Sequence, residues 1–223
     1  ITKKNTEVFF SAGTDVITSG NHIWDEKETM KFITEEKRLL RPQNLIKPSP
    51  GEGFGIFESK SNKKRVAVVN LMGNIFMKKC EDVFKEAKKF IENIRLKKDA
   101  DFIVVDMHGE ITSEKMAMGY LFDGKVTMVV GTHTHVQTAD EQIFPGGTAF
   151  LCDAGCTGPQ ESILGREIEP IIQRFLTHQP QRFGVASRRV TLNGALIDID
   201  ESTGKANSIK RISEMLPDSQ REE

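Results

Sequence analysis

Three nearly continuous apolar runs dominate the pattern of hydrophobic and polar positions along the chain. They cover residues 65–71, 101–106 and 126–130, and valine is frequent in each of them. Because apolar residues follow one another there without alternation, the runs predict strands that are covered on both faces of a sheet. Such strands form the middle of an α/β sandwich, so we expect an α/β fold.

Amphipathic helices are predicted around these strands. Between residues 83 and 94, apolar side chains recur at three-and-four spacing with lysine and glutamate opposite them, which is typical of a helix that covers a sheet. A second helix is expected to begin at Asp25, with Glu28 completing a capping box. A third is expected over residues 112–122, because Asp123 and Gly124 then form a turn.

The C-terminal part of the chain shows a different pattern. Residues 189–192 and 195–199 flank the dipeptide Asn193-Gly194, which is typical of a two-residue hairpin turn. A further turn over residues 201–205 leads to another apolar segment, so we expect a small antiparallel meander. The polar residues from Pro217 onwards are expected to fray.

Length and composition limit the classes of protein that the chain can represent. Its 223 residues predict a single domain over residues 1–223. The 31 basic and 32 acidic residues are interspersed, so they create no field that would attract nucleic acid or an anionic membrane. No apolar run approaches the roughly 18 residues of a membrane span. With three cysteines and no leader-like segment, a cytoplasmic protein with a small-molecule partner is expected.

Histidine is scarce, with five in the whole chain, and four of them follow predicted strands. His22 follows a short extended segment, His108 follows the second apolar run, and His133 and His135 follow the third. Ligands bind at the carboxyl ends of strands in open α/β sheets. The four histidines are therefore candidates for one site, whereas His178 is expected to end a helix.

The strength of this evidence differs from one histidine to another. Taken alone, His108 fits a hydrogen-bonded loop histidine better than a ligand. His133 and His135 stand at alternate positions just after a buried strand, and Gly131 leaves room for close approach. That arrangement favours metal ligation by both imidazoles.

The pair Asn21-His22 combines a neutral oxygen ligand with an imidazole that could protonate a leaving group. A dinuclear metal site suits such residues, because two ions roughly 3.5–4 Å apart hold a phosphate and activate a water molecule. Imidazole, amide and carboxylate ligands together favour manganese, iron or zinc over magnesium or calcium.

Several longer motifs carry a resemblance to a known family. The matching segments are Ser19-Gly20-Asn21-His22-Ile23-Trp24-Asp25, Arg41-Pro42-Gln43-Asn44, residues 108–115, residues 131–140 and Thr157-Gly158-Pro159. Together they resemble the YmdB family of bacterial calcineurin-like metallophosphoesterases. The resemblance implies a four-layer α/β/β/α sandwich that hydrolyses phosphodiesters, with cyclic nucleotides as the substrate class and association into homo-oligomers.

The resemblance also implies roles for individual residues. Asn21, His108 and His133 would hold one divalent transition-metal ion, His135 would belong to a second, and His22 would be the general acid. Manganese or iron is expected at these sites, with zinc as a further candidate. Asp106 and Glu110 would hydrogen-bond to ligating imidazoles, and no substrate-binding residue is assigned.

The chain departs from the family pattern at its start. The Gly-Asp and Gly-Glu-Asn motifs that supply the acidic ligands of the family are absent. We therefore expect that the N-terminal strands of the family are missing and that the metal site of His135 is incomplete. This departure keeps open an alternative function, a module that binds a nucleotide or RNA without cleaving it. A single-metal amide hydrolase is a third possibility, but no carboxylate base is evident near the histidines.

Overall fold

A computed structural model describes residues 1–217 of the chain. The three predicted strands lie side by side in a six-stranded sheet of order β1-β2-β3-β4-β6-β5. Its strands are β1 Phe54–Glu58, β2 Arg65–Met72, β3 Phe102–His108, β4 Met128–Thr132, β5 Gln142–Ile143 and β6 Ala149–Leu151. Strands β2, β3, β4 and β6 are parallel, which confirms the buried central strands expected from the apolar runs.

A second, smaller sheet is antiparallel and has the order β7-β8-β9. Its strands are β7 Gly158–Pro159, β8 Val190–Ile199 and β9 Ala206–Met215. Ala206 of this sheet forms a buried cluster with Met128 and Ala149 of the large sheet. The two sheets therefore face each other through an apolar layer, as the predicted sandwich requires.

Five helices complete the described part of the chain: α1 Lys3–Ser11, α2 Thr29–Phe32, α3 Val83–Asn93, α4 Thr112–Phe122 and α5 Ile168–Thr177. Helices α3 and α4 contribute buried residues to the main core, together with strands β2, β3 and β4. Asp82 caps α3 by accepting hydrogen bonds from the amides of Phe84 and Lys85. The predictions of α3 and α4 are therefore confirmed. His178 ends α5, as predicted, in a left-handed conformation with φ of 56°.

The predicted helix start at Asp25 is wrong. Residues 21–28 form turns, and α2 begins only at Thr29. The Asp25 carboxylate accepts a hydrogen bond from His22, and the Glu28 carboxylate accepts one from the backbone amide of Lys3. Both side chains that were expected to cap a helix are therefore occupied by other partners.

The predicted hairpin turn at Asn193-Gly194 is also wrong. Strand β8 runs without interruption through both residues, and Gly194 pairs with Ile212 of β9. The Asn193 side chain donates a hydrogen bond to the carbonyl oxygen of Cys156, which holds this dipeptide extended. The turn between β8 and β9 lies instead over residues 200–205, where the second turn was predicted.

The remaining expectations concern the cysteines, membrane-spanning segments and the C-terminal residues. Cys80, Cys152 and Cys156 are free thiols. Within residues 1–217, none of the helices combines the length and the apolar character that a bilayer-spanning segment requires. The expectation for the polar C-terminal residues beyond Pro217 lies outside the described residues.

Candidate active site

Three of the predicted site residues meet where the central strands of the large sheet end. His108 is the last residue of β3, and His133 follows the last residue of β4. Nε2 of His108 lies 2.9 Å from Oδ1 of Asn21 and 3.2 Å from Nδ1 of His133. The parallel sheet therefore brings together side chains from three separate parts of the sequence.

The backbone around these side chains is adapted to their close approach. A Cβ atom at Gly20 would lie 2.1 Å from Nε2 of His108, so only glycine leaves room for this imidazole. His133 has φ of 107°, a conformation that costs free energy in residues other than glycine. Strained residues of this kind are concentrated at functional sites.

Hydrogen bonds set the tautomer of His108. Its Nδ1 lies 2.9 Å from the Thr132 hydroxyl oxygen, and that hydroxyl donates at 2.8 Å to the carboxylate of Asp106. The Thr132 hydrogen is thereby used, so Nδ1–H of His108 is the donor and Nε2 carries a lone pair. Burial, with a contribution from His133, lowers the pKa of His108 to about 3, so this imidazole is neutral near pH 7.

His133 is oriented in a similar way. Its Nε2 lies 3.0 Å from the carboxylate of Glu110, as the sequence led us to expect for a carboxylate that supports a ligating imidazole. Burial lowers the pKa of His133, although the Glu110 carboxylate opposes that effect. In the neutral tautomer that donates to Glu110, Nδ1 of His133 carries a lone pair that faces His108.

Asn21, His108 and His133 thus direct an oxygen and two nitrogen lone pairs toward one point. None of these three atoms carries a hydrogen that it could donate to the others, so their lone pairs repel one another. A bound cation would relieve this repulsion. Ligand atoms about 2.1 Å from a tetrahedral ion are themselves roughly 3.4 Å apart, similar to the separations here. Within residues 1–217, no group of three or more His, Cys, Asp or Glu side chains is arranged to hold a metal ion. The amide oxygen of Asn21 is therefore needed to complete the set of three candidate ligands.

A buried polar chain beneath the site was missed by the sequence analysis. The amide nitrogen of Asn70 lies 3.4 Å from the Asp106 carboxylate, and its oxygen accepts a hydrogen bond from the backbone of Ser19 at 3.1 Å. Burial raises the pKa of Asp106 to about 6. The signal that could have identified Asn70 is a polar residue inside an otherwise apolar strand. This chain joins β2, β3 and the loop that carries Asn21.

A buried ion pair supports the loop that carries His133 and was also missed. Nζ of Lys115 lies 2.8 Å from Oδ2 of Asp153, and both side chains are almost completely inaccessible to solvent. The same carboxylate accepts hydrogen bonds from the amide and the hydroxyl of Thr134. Burial opposes ionisation of Asp153, but the hydrogen bonds from Lys115, Gly155 and Thr134 outweigh it, so the pKa is lowered.

His22 lies at the exposed rim of the site and is oriented by charged neighbours. Its Nδ1 is 2.6 Å from Oδ2 of Asp25, and this hydrogen bond lowers the pKa of the Asp25 carboxyl. Lys78 approaches the same carboxylate at 3.6 Å and donates a hydrogen bond to the carbonyl oxygen of Asn21. Within residues 1–217, Nε2 of His22 has no hydrogen-bond partner.

His135 differs from the other predicted ligands. Within residues 1–217 its imidazole makes no hydrogen bond to Asn21, His108 or His133, although its proximity contributes to the lowered pKa of His133. Its backbone is left-handed, with φ of 66°. The side chain instead lines a neighbouring cavity of about 340 Å³.

Known proteins resemble this chain over most of its length. A family model described as YmdB-like protein matches residues 1–212. A relative from Bacillus subtilis (strain 168), named 2',3'-cyclic-nucleotide 2'-phosphodiesterase, is 46% identical over 212 residues, which is 95% of this chain and 79% of the relative.

Two solved structures resemble the chain over nearly its whole length. A hypothetical protein from Thermus thermophilus has a TM-score of 0.89 at 34% identity, with 97% of this chain and 82% of that chain covered. A novel phosphatase from Mycoplasma pneumoniae has a TM-score of 0.85 at 35% identity, with 96% and 77% covered. The fold of this chain is thus that of the calcineurin-like phosphoesterases.

Proposed function

Because this chain belongs to the YmdB-like family, we propose that it is a metal-dependent phosphodiesterase that hydrolyses cyclic nucleotides. The observation that carries the proposal is the convergence of Asn21, His108 and His133 at the strand ends. The name of the Bacillus subtilis relative supports the reaction and the substrate class. It favours hydrolysis over the alternative of a nucleotide- or RNA-binding module without turnover.

In this proposal Asn21, His108 and His133 hold one divalent ion, and His135 contributes to a second. Imidazole and amide ligands favour manganese or iron, with zinc also compatible. Divalent ions supply Lewis acidity that stabilises negative charge on a phosphoryl group. The protein contributes neutral imidazoles whose orientation is held by Thr132 and Glu110, so the ligands need no reorganisation when an ion binds.

His22 serves as the general acid. Asp25 holds Nδ1 of its imidazole, which directs Nε2 toward the leaving oxygen. Lys78 neutralises part of the Asp25 charge and ties its own loop to the backbone of Asn21. As the oxygen of a water molecule forms a bond to phosphorus and the P–O bond to the leaving group breaks, the proton on Nε2 of the His22 imidazolium would pass to the leaving alkoxide. The attacking water would release its own proton to solvent.

The proposal is tested by assaying the chain with Mn²⁺ or Fe²⁺ against nucleoside 2',3'-cyclic monophosphates and an aryl phosphodiester. Turnover that disappears with a chelator and returns with added metal is the expected result. Calorimetric titration with the same nucleotide distinguishes the alternative. Tight binding that needs no metal and is never followed by hydrolysis would favour the binding module.

The His22→Ala variant is expected to lose turnover by about 10²–10⁴-fold, the range for loss of a general acid. Its metal content should equal that of the wild type, because His22 contributes no ligand to the proposed site. Steady-state kinetics and elemental analysis measure the two quantities. His178→Ala, at the end of α5, is the matched control and should change neither; a loss of metal in His22→Ala would contradict the assignment.

A further inference from the structure

A cavity of about 340 Å³ opens beside the proposed active site. Its walls come from the loop after β4, from the segment that follows β7, and from strands β8 and β9. His135 forms part of the wall, so the cavity adjoins the proposed metal centre. A substrate whose phosphate lies at the metal centre would therefore extend into this space.

The lining of the cavity is polar but almost uncharged. Apart from the His135 imidazole, the described lining residues include no acidic or basic side chain. Amide and hydroxyl groups come from Gln160, Asn193 and Ser213, and apolar surface comes from Val136 and Leu164. Phosphate needs cationic or metal partners, and in this lining only His135, at the edge nearest the proposed metal centre, could supply one. Neutral donors and acceptors beside apolar surface suit a flat, uncharged heterocycle.

Several of these polar groups remain available to a ligand. Among residues 1–217, the side chains of Gln160 and Ser213 have no hydrogen-bond partner, although both line the cavity. Asn193 uses its amide nitrogen on the Cys156 carbonyl at 2.7 Å, and this leaves its Oδ1 as an acceptor. Amide side chains of this kind recognise the donor and acceptor pattern of nucleobase edges.

The wall nearest His135 is fixed before any ligand binds. The Gln137 side chain donates hydrogen bonds to the carbonyl oxygens of Ala154, Gly194 and Ile212, at 3.2, 3.1 and 3.0 Å. One amide therefore joins the histidine-bearing loop to both long strands of the second sheet. A preformed wall lowers the entropic cost of binding a ligand.

The opposite rim is held in a strained conformation. Leu164 is 57% exposed and has φ of 50°, a left-handed conformation that is uncommon for leucine. The turn is closed by pairing between Ile163 and Arg166 and by a hydrogen bond from the Gly165 amide to the Ser162 hydroxyl. The fold thus keeps an apolar side chain at the mouth of the cavity rather than in the core.

We infer that this cavity binds the nucleobase end of the nucleotide substrate, while the phosphate lies at Asn21, His108 and His133. The inference rests on the proposed function and assigns substrate specificity to a part of the protein outside the proposed metal centre. Gln160, Asn193 and Ser213 contact the base edge, and Val136 and Leu164 contact its faces.

The test compares a filled cavity with a matched control. Ser213→Tyr places a large side chain in the cavity, whereas Ser208→Tyr places the same side chain at an exposed position of β9 outside it. Each variant is assayed with a nucleoside 2',3'-cyclic monophosphate and with methyl 4-nitrophenyl phosphate, which has no base. In Ser213→Tyr we expect KM for the nucleotide to rise at least about tenfold, with kcat/KM for the aryl diester within about twofold of wild type. Ser208→Tyr should alter neither, and Gln160→Ala should show a smaller rise for the nucleotide alone.

A binding measurement that involves no hydrolysis tests the cavity assignment independently of the proposed function. Saturation-transfer NMR with adenosine, a probe without phosphate, should show contact with the wild type and with Ser208→Tyr but not with Ser213→Tyr. If the wild type hydrolyses neither diester, the proposed function fails, and the NMR comparison still decides the cavity assignment. Equal losses for both diesters in Ser213→Tyr, or no change for either, would overturn the cavity assignment while leaving the phosphodiesterase in place.

Discussion

Replacing His133 with alanine is expected to weaken metal binding by more than about 100-fold and to abolish turnover with it. This magnitude follows from the loss of a direct ligand, since changes to residues that only support ligands already cost roughly 10–100-fold in affinity. In the wild type, Nδ1 of His133 lies 3.2 Å from Nε2 of His108, and Glu110 holds the ring from its other side. Calorimetric titration with Mn²⁺ and elemental analysis of the purified protein measure the effect.

The comparison with His22→Ala makes this prediction specific. Both variants remove one imidazole from the same site, but only His133→Ala should lose metal. High Mn²⁺ concentrations should restore part of the turnover of His133→Ala and none of that of His22→Ala. Equal metal loss in the two variants would refute the division of roles between the two histidines.

The Asp153→Ala variant is expected to lower the free energy of unfolding by about 3–5 kcal/mol, because it leaves the Lys115 charge buried without a partner. For a chain of this size, that loss corresponds to a fall in Tm of roughly 6–20 °C. The substitution also removes Oδ2 of Asp153, which accepts the hydrogen bonds from both the amide and the hydroxyl of Thr134. The loop between His133 and His135 is then released, so metal affinity should fall as well. Chemical denaturation and calorimetry measure stability.

An exposed ion pair supplies the control for Asp153→Ala. Glu161 lies 3.4 Å from Arg188, and the two side chains are 44% and 77% accessible to solvent. Glu161→Ala makes the same change in net charge but should cost less than about 1 kcal/mol. The double variant Lys115→Met/Asp153→Leu should recover part of the stability lost in Asp153→Ala, because no unpaired charge remains. A stability loss in Asp153→Ala no larger than that in Glu161→Ala would contradict the role of the buried pair.

Stability and function are coupled through the polar groups beneath the site. Asn70 and Asp106 link the loop that carries Asn21 to the Thr132 hydroxyl, which fixes the tautomer of His108. Lys115 and Asp153 hold the loop after β4. Each network is buried, so removing one partner leaves an unsatisfied polar group in the core and lowers the free energy of unfolding. The candidate ligands are consequently positioned by the core rather than by flexible surface loops.

Local errors in the sequence-based predictions have a common physical cause. The motif at Asp25 satisfies the pattern of a helix cap, and Asn193-Gly194 satisfies that of a hairpin turn. In the structure, the Asp25 carboxylate is hydrogen-bonded to the His22 imidazole, and the Asn193 side-chain amide donates to the carbonyl oxygen of Cys156. The partner of Asp25 is local, three residues earlier in the chain, whereas Glu28 is bound by the distant amide of Lys3. The Cys156 carbonyl that binds Asn193 lies 37 residues away along the chain, so its position does not follow from a short motif.

The order of residues was enough to predict the central strands, the helices α3 and α4, and the candidate ligands, because burial imposes a periodicity that is visible along the chain and histidine is rare within it. The folded arrangement was needed to show that Asn21, His108 and His133 meet, that His135 lines the neighbouring cavity, and that Asn70 and Lys115 support the site. Contacts between residues far apart in sequence depend on strand order and register. Those are set by the packing of the whole sheet, and no single segment encodes them.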